Sequence, residues 1–115
     1  MITRKENQTT ELRERMRGGS GVAQLTALSA ELPDAVRLFS RIVLTPGSSI
    51  GEHVHEGETE LYYFVSGSGV VTDDGAESPV SAGDSMATFN GHRHSVINTG
   101  SEDLVILAAI VKEAR

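Results

Sequence analysis

The four histidines of this 115-residue chain fall into two His-x-His pairs, His53-Val54-His55 and His92-Arg93-His94. Side chains two positions apart in a β-strand share a face and lie about 6.5–7 Å apart, so such a pair can reach a single ion. Imidazole nitrogens bind divalent transition metals, and a carboxylate oxygen beside them completes a ligand set for Mn, Fe, Co, Ni, Cu or Zn. These residue types and their spacing predict a metal site.

Glu60 supplies the carboxylate in this hypothesis, five residues after His55. An uninterrupted strand would send that odd offset to the opposite face. Gly57 lies between them and permits a turn or bulge that resets the direction of the chain. Glu60 can then begin the next strand on the same side as Tyr62 and Phe64. These two aromatic residues are predicted in the core, with contact to a substrate as the alternative.

A frame of glycines surrounds these residues at fixed spacings. The first pattern consists of Gly47, His53, His55, Glu60 and Gly67, and the second of Gly83, Phe89, Gly91, His94 and Asn98. In this respect the chain resembles the cupin superfamily, whose motifs are G(x)5HxH(x)3-4E(x)6G and G(x)5PxG(x)2H(x)3N. All five fixed positions of the first motif match, and four of five match in the second, where Phe89 replaces proline.

The resemblance implies a jelly-roll β-barrel with a metal ion inside, as in small single-domain bacterial cupins. Carried over by motif position, the metal ligands are His53, His55, Glu60 and His94. Three imidazoles and one carboxylate leave two positions of an octahedron for water, O2 or a bidentate substrate. His92 is the alternative to His94, because the two share strand parity and only a turn at the preceding glycine would direct His92 elsewhere.

Two further motif positions concern loops. Phe89 does not fix φ as proline would, so we expect the turn before Gly91 to form while the rim of the pocket differs. Asn98 is expected to hold a loop by local hydrogen bonds rather than to contact a substrate.

Composition excludes several other kinds of site. The chain has no cysteine, which excludes disulfides, thiolate zinc sites, iron–sulfur clusters and a cysteine nucleophile. With 10 Lys+Arg against 16 Asp+Glu, the formal charge of −6 argues against binding to nucleic acid. The longest apolar run, residues 104–111, has eight residues, whereas a membrane span needs about 20. The N-terminus lacks the apolar segment of a secretion signal, so we expect a cytoplasmic protein.

Charged residues outside the motif positions are interpreted as surface features. Glu52, Glu56 and Glu58 are interpreted as a solvated rim that attracts cations to the site. Arg41 is interpreted as an outer-surface residue, with a pocket cation for a carboxylate as the alternative. The basic residues near the N-terminus are interpreted as a solvated strand face or loop, namely Arg13, Arg15 and Arg17.

Short segments bounded by turn residues predict an all-β chain. The predicted strands are residues 22–28, 36–44, 61–65, 70–72, 79–80, 86–89, 95–97 and 104–111. Their spacing favours an antiparallel sandwich or barrel. The cupin resemblance specifies a double-stranded β-helix, or jelly-roll barrel. Residues 1–21 are predicted to form an N-terminal arm at the dimer or barrel edge, and residues 22–115 the barrel domain.

The last predicted strand, residues 104–111, is apolar on both faces. In residues 61–65, Leu61 and Tyr63 point away from the face of Tyr62 and are also apolar. An outer face of this kind is expected to pack against a second sheet or a second subunit. We therefore expect a homodimer.

The fold alone does not select a reaction. The first hypothesis is a small dioxygenase-like metalloenzyme acting on an organic molecule that chelates the metal through oxygens. The second is a metal-assisted isomerase, epimerase or decarboxylase of a small acid or sugar, although the motifs offer no dedicated base beyond the ligands. The third is a non-catalytic module that binds or senses a small ligand. No catalytic residue, substrate or native metal is assigned from the sequence.

Overall fold

The computed structural model describes residues 1–113, so the last two positions of the predicted barrel domain, 114 and 115, lie outside the described residues. Within this part of the chain, two 3₁₀ helices, Lys5–Asn7 and Met16–Gly18, flank the first strand, and no helix is long and apolar enough to cross a membrane. The strands are β1 Thr9–Glu14, β2 Val22–Ala27, β3 Val36–Leu44, β4 Ser49–Val54, β5 Glu58–Ser66, β6 Ser68–Asp73, β7 Ala76–Ser81, β8 Ser85–Thr88, β9 Arg93–Ile97 and β10 Leu104–Lys112.

The strands form two antiparallel sheets. The larger has the order β1-β2-β3-β10-β5-β8 and the smaller the order β4-β9-β6-β7. Strands occupy 58% of residues 1–113 and helices 5%, so the prediction of an all-β jelly roll is confirmed. Sequence-adjacent strands such as β4 and β5 lie in different sheets, which is why the chain crosses repeatedly from one sheet to the other.

Strand β10 shows why the sheets pack against each other. Its inward side chains, including Leu104 and Ile106, are buried, while the alternate residues Val105 and Leu107 are only half-buried. This is the two-residue period of a strand with one face in the core. The inward residues join a core built from both sheets, which includes Ile42, Leu44, Phe64, Ile50, Val71 and Val96.

The N-terminal segment contributes a strand to the larger sheet. Strand β1 pairs with β2 from Thr9 opposite Ala27 to Glu14 opposite Val22, at the edge of that sheet. All six residues of β1 are exposed, so no buried apolar pattern marks this strand in the sequence. The division of the chain at residue 21 into arm and barrel stays a prediction.

The two sheets meet at the predicted metal ligands. His53 in β4 lies directly opposite His94 in β9, and both strands belong to the smaller sheet. Glu60 lies in β5 of the larger sheet. The connection between them contains His55 and Gly57, whose φ of +74° is a backbone conformation that glycine adopts without steric cost. The predicted turn at Gly57 therefore directs Glu60 toward the histidines.

Candidate metal centre

The structure brings the four predicted ligands together in one place. His53, His55, Glu60 and His94, here called the His–Glu cluster, each offer a ligand atom, and these atoms lie within 4.8 Å of one another. The Nε2 atom of His94 lies 3.0 Å from Nε2 of His55 and 3.2 Å from Nε2 of His53. Oε1 of Glu60 lies 2.9 Å from Nε2 of His55. All but the half-buried His53 are buried.

The other ring nitrogen of each histidine has a partner outside the cluster. Nδ1 of His53 donates to the carbonyl oxygen of Gly51 (2.8 Å), and Nδ1 of His55 donates to the Glu58 carboxylate (3.0 Å). Nδ1 of His94 lies 2.7 Å from the Thr88 hydroxyl. A carbonyl and a carboxylate can only accept, so His53 and His55 carry their proton on Nδ1 when neutral, and their Nε2 lone pairs point into the cluster.

This donor set fits a divalent transition metal ion. Nitrogen lone pairs that face each other at about 3 Å repel unless a proton or a cation lies between them. Adjacent ligands of an octahedral ion with bonds of about 2.1 Å are separated by about 3.0 Å, which matches the separations of 2.9–3.2 Å found here. The types of these atoms, their orientation and their short contacts fit such an ion.

Electrostatics keep Glu60 ionised in this buried position. Burial by itself would raise the pKa of Glu60, but hydrogen bonds from His55 and His94 outweigh it and lower the pKa to about 2. The same hydrogen bond to Glu60 is the main reason that the pKa of His55 is raised, with Glu58 adding to it. The pKa of His53 is lowered, mainly by burial, and the positive charge of Arg17 adds to this.

The structure corrects the interpretation of Glu58, which is not part of a solvated rim. Its side chain is 15% exposed and bridges His55 and Arg37, whose guanidinium donates two hydrogen bonds of 2.8 and 2.7 Å. The hydrogen bond from Arg37 is the main reason that the pKa of Glu58 falls to about 2. Glu58 and Glu60 are two positions apart in one strand and therefore share a face. This shared face is the sequence signal that could have predicted the position of Glu58 next to the cluster. Glu52 and Glu56 are exposed, as expected.

His94, not His92, lies in the cluster. Gly91 adopts a φ of +86° in a turn in which the backbone N–H of His92 donates to the carbonyl of Phe89 (3.0 Å). The side chain of His92 is 52% exposed and contacts Asp74. The turn therefore forms without proline, as expected, and it directs His92 away from the interior.

The remaining predicted residues have distinct positions. Phe89 is 61% exposed. Asn98 is buried and donates to the carbonyls of Leu44 (2.8 Å) and Glu102 (2.7 Å), which confirms its role in holding a loop. Arg41 is exposed, as the outer-surface interpretation expected.

Tyr62 lies where it fits both alternatives considered for it, a position in the core and contact with a substrate. The side chain is buried in the core, and its ring stacks on the ring of His94 with centroids 5.1 Å apart. It also lines a cavity beside the cluster, so it is placed to contact a ligand. Burial, together with the charge of Glu60, raises the pKa of the phenol, which therefore keeps its proton.

A cavity of about 60 Å³, here called the inner cavity, adjoins the His–Glu cluster. Its wall combines cluster residues with apolar side chains such as Leu25, Ile42 and Ile50, and with cations near its opening. Those cations are Arg13, Arg17 and Arg37. Two of the N-terminal arginines interpreted as solvated surface thus line this cavity, whereas Arg15 does not lie among its lining residues.

The fold and the site define a class of protein, the small β-barrels that gather imidazoles and a carboxylate in their interior in a cluster that could hold a metal ion. The sequence model of the family described as "Cupin domain" matches residues 40–110. The chain belongs to the cupin family, and the resemblance seen in the sequence is confirmed.

Two comparisons involve Thermotoga maritima. The chain is 43% identical over 113 residues to an "oxalate-binding protein" of that organism, a match that covers 96% of this chain and 93% of the relative. The crystal structure of a "predicted oxalate decarboxylase" from T. maritima superposes with a TM-score of 0.92 at 43% identity and covers 97% of this chain and 99% of the other.

A more distant relative is the tetracenomycin polyketide synthase protein TcmJ of Streptomyces glaucescens. It is 32% identical over 84 residues, which are 73% of this chain and 55% of that relative. The chain therefore spans about half the length of TcmJ.

Substituting each histidine of the second pair in turn tests which of the two binds the metal ion. We expect His94→Ala to weaken Mn(II) binding by more than about 100-fold, because it removes a nitrogen from the centre of the cluster. His92→Ala is the matched control and should bind Mn(II) as the parent does. Calorimetric titration with Mn(II) measures both, with circular dichroism as the check on folding. Loss of binding in His92→Ala alone would contradict the assignment.

Metal binding should strengthen as the pH rises. Without an ion, His55 is protonated on Nε2 and donates a hydrogen bond from there to Glu60. The raised pKa of His55 extends this protonation to pH values above 6.5, the ordinary pKa of histidine. Because an ion must displace that proton, affinity should rise about tenfold per pH unit below the raised pKa. Calorimetry with Mn(II) from pH 5 to 8.5 measures the profile.

Glu58→Gln provides the control for this profile. It removes the carboxylate that supports the protonated imidazole of His55, so the profile should shift to lower pH. A parent profile that is flat above pH 6, or a Glu58→Gln profile that does not move, would show that His55 does not control metal uptake.

Proposed function

We propose that this protein is a metal-dependent cupin that binds a small dicarboxylate of the oxalate class at the His–Glu cluster. The observation that carries the proposal is the convergence of three imidazole Nε2 atoms and one carboxylate oxygen beside a small cavity with arginines at its opening. The names of the T. maritima relatives, an oxalate-binding protein and a predicted oxalate decarboxylase, point to the same ligand class.

His53, His55, Glu60 and His94 would hold one divalent transition metal ion, of which Mn, Fe, Ni, Co, Cu and Zn all suit nitrogen and oxygen ligands. When bound, such an ion supplies positive charge to the oxygens of a chelating ligand and acts as a Lewis acid. Four protein ligands leave two positions of an octahedron, which suits a ligand that offers two oxygens. The positions of the ligands in the chain support this assignment through the cupin motifs.

The size and charge of the inner cavity favour a small anion. Its volume of about 60 Å³ suits a molecule of few heavy atoms such as oxalate. Of the three arginines that line it, Arg13 and Arg37 are paired with Glu11 and Glu58, which leaves the charge of Arg17 to attract an anion. The apolar wall excludes water and strengthens these interactions.

Glu58 and Thr88 orient the ligands from outside the cluster. Glu58 holds the ring of His55 and is itself held by Arg37, while Thr88 holds the ring of His94. Partners of this kind fix the tautomer and the direction of the metal-binding nitrogen. The chain thus prepares the site before any ion or ligand enters.

Decarboxylation is the second candidate, favoured by the position of Tyr62. In that reaction the bond between the two carboxylate carbons breaks, CO2 leaves, and a proton adds to the remaining carbon to give formate. Tyr62 lines the inner cavity, and its protonated phenol is the candidate donor of that proton. The relatives' names support this redox-neutral alternative better than the dioxygenase-like reaction favoured from the sequence. The predicted cytoplasmic location and the predicted absence of a nucleic-acid partner remain predictions.

Oxalate binding should depend on the metal. We expect Mn(II)-loaded protein to bind oxalate in calorimetric titration, and protein stripped with EDTA to show no heat of binding, because the cluster alone offers no ligand positions for oxygen. Succinate, whose longer chain exceeds the inner cavity, serves as the control ligand. Equal binding of oxalate with and without metal would contradict the proposal, and formate released from oxalate would distinguish decarboxylation from binding alone.

We also propose a homodimer formed through the outer face of β3, β10 and β5. Phe39, Leu61 and Tyr63 are each more than 40% exposed there and surround Leu107 and Ala109 of β10. A contiguous apolar face of this kind favours a second copy over water. The face lies outside the inner cavity, so association would leave the site open.

Sedimentation of two glutamate variants tests this interface. Leu61→Glu places a charge within the apolar face and should give a monomer, because burying an unpaired carboxylate is costly. Val54→Glu adds the same charge at a residue that is 50% exposed on the other sheet and should leave the dimer intact. A monomeric parent protein, or equal behaviour of the two variants, would rule this interface out.

A further inference from the structure

Arg17 has an uncommon backbone conformation next to the inner cavity. It lies in the 3₁₀ helix Met16–Gly18 with φ +55° and ψ +31°, in the left-handed region. Residues other than glycine rarely adopt this region, because their Cβ approaches the backbone too closely. Glycine would adopt it without that steric cost. Contacts with the neighbouring chain must therefore hold Arg17 in this conformation.

Close backbone packing holds this turn against β4. A Cβ atom on Gly51 would overlap the carbonyl oxygen of Arg17, so only glycine allows the contact. Ser49 donates its backbone N–H to the carbonyl of Ser20 (2.8 Å), and the N–H of Ser20 donates to the Ser49 hydroxyl (2.8 Å). Gly51 also accepts the hydrogen bond from His53, so one residue positions both Arg17 and a cluster histidine.

Arg17 differs from the other two arginines that line the inner cavity. Arg13 donates to Glu11 at 2.7 and 3.0 Å, and Arg37 is held by Glu58. Within residues 1–113, no carboxylate lies within 4 Å of the Arg17 guanidinium. Arg17 therefore brings to the opening of the cavity a positive charge that no acidic side chain neutralises.

We propose that Arg17 determines specificity for a dicarboxylate by donating hydrogen bonds to the carboxylate oxygens that face away from the His–Glu cluster. This inference rests on the proposed function. A dicarboxylate that chelates through one oxygen of each carboxylate keeps two outer oxygens, and these carry charge that needs a partner. The planar guanidinium fits two such oxygens at once, which an ammonium group does not.

Substitution of Arg17 by glycine tests this inference, because it removes the side chain without disturbing a backbone conformation that glycine adopts readily. Arg17→Gly removes the guanidinium and relaxes the turn, so it should keep its unfolding temperature and should bind Mn(II) at least as tightly as the parent does, because a nearby positive charge is lost. The Mn(II)-loaded variant should bind oxalate about 30-fold more weakly, as expected for the loss of charge-assisted hydrogen bonds. Arg15→Gly is the matched control, because Arg15 has the same kind of backbone, with φ +48°, and does not line the cavity.

A second ligand distinguishes recognition from a structural role. Glycolate chelates through a hydroxyl and one carboxylate oxygen and keeps a single outer oxygen, so Arg17→Gly should weaken its binding less than that of oxalate. A merely structural role would weaken both ligands alike. Arg17→Lys, which retains the charge and loses the planar fork, should recover part of the oxalate affinity.

The outcomes separate this inference from the proposal on which it rests. Oxalate binding by the parent, with a selective loss in Arg17→Gly and none in Arg15→Gly, supports both. Oxalate binding that is unchanged in Arg17→Gly, or a loss shared equally with glycolate, overturns the role of Arg17 and leaves the proposed function standing. A Mn(II)-loaded parent that does not bind oxalate overturns both.

Discussion

Three imidazole nitrogens and one carboxylate oxygen converge in the interior, and the surrounding structure is arranged to hold them there. Nitrogen lone pairs about 3 Å apart repel, and a buried carboxylate is unfavourable unless it is paired. Gly51, Glu58 and Thr88 each hold a ring from its outer side, which directs the other nitrogen inward. The protein is thus ordered around a position that a cation would stabilise, and a metal ion bound there would compete with protonation.

The jelly-roll topology makes this convergence possible. His53 and His94 lie opposite each other in the smaller sheet, whereas Glu60 comes from the larger sheet, and the connection with His55 and Gly57 joins the two. A site that takes ligands from both sheets lies at the point where the core gives way to the inner cavity. The core residues of both sheets fix the distance between the ligands, so the packing of the barrel sets the geometry of the site.

Charge is organised in two layers around the cluster. Next to the rings, Glu58 links His55 to Arg37, and this carboxylate and guanidinium satisfy each other. Farther out, the N-terminal turn brings Arg17 to the opening of the cavity, where its charge is not neutralised by an acidic side chain of the described residues. Arg17 is thus a positive charge beside the inner cavity of a chain whose net charge is negative.

The sequence by itself determined the fold family, the strand alternation and the four cluster residues, because motif spacing and the two-residue period are local properties. The inward position of Tyr62 and Phe64 and the turn at Gly57 could be predicted for the same reason, because both follow from local spacing. Strand β1 escaped prediction because an exposed edge strand needs no apolar pattern. Only the tertiary structure decided the contacts of Glu58 and the position of Arg17 beside the inner cavity, because their partners come from distant segments and from backbone contacts that no spacing records.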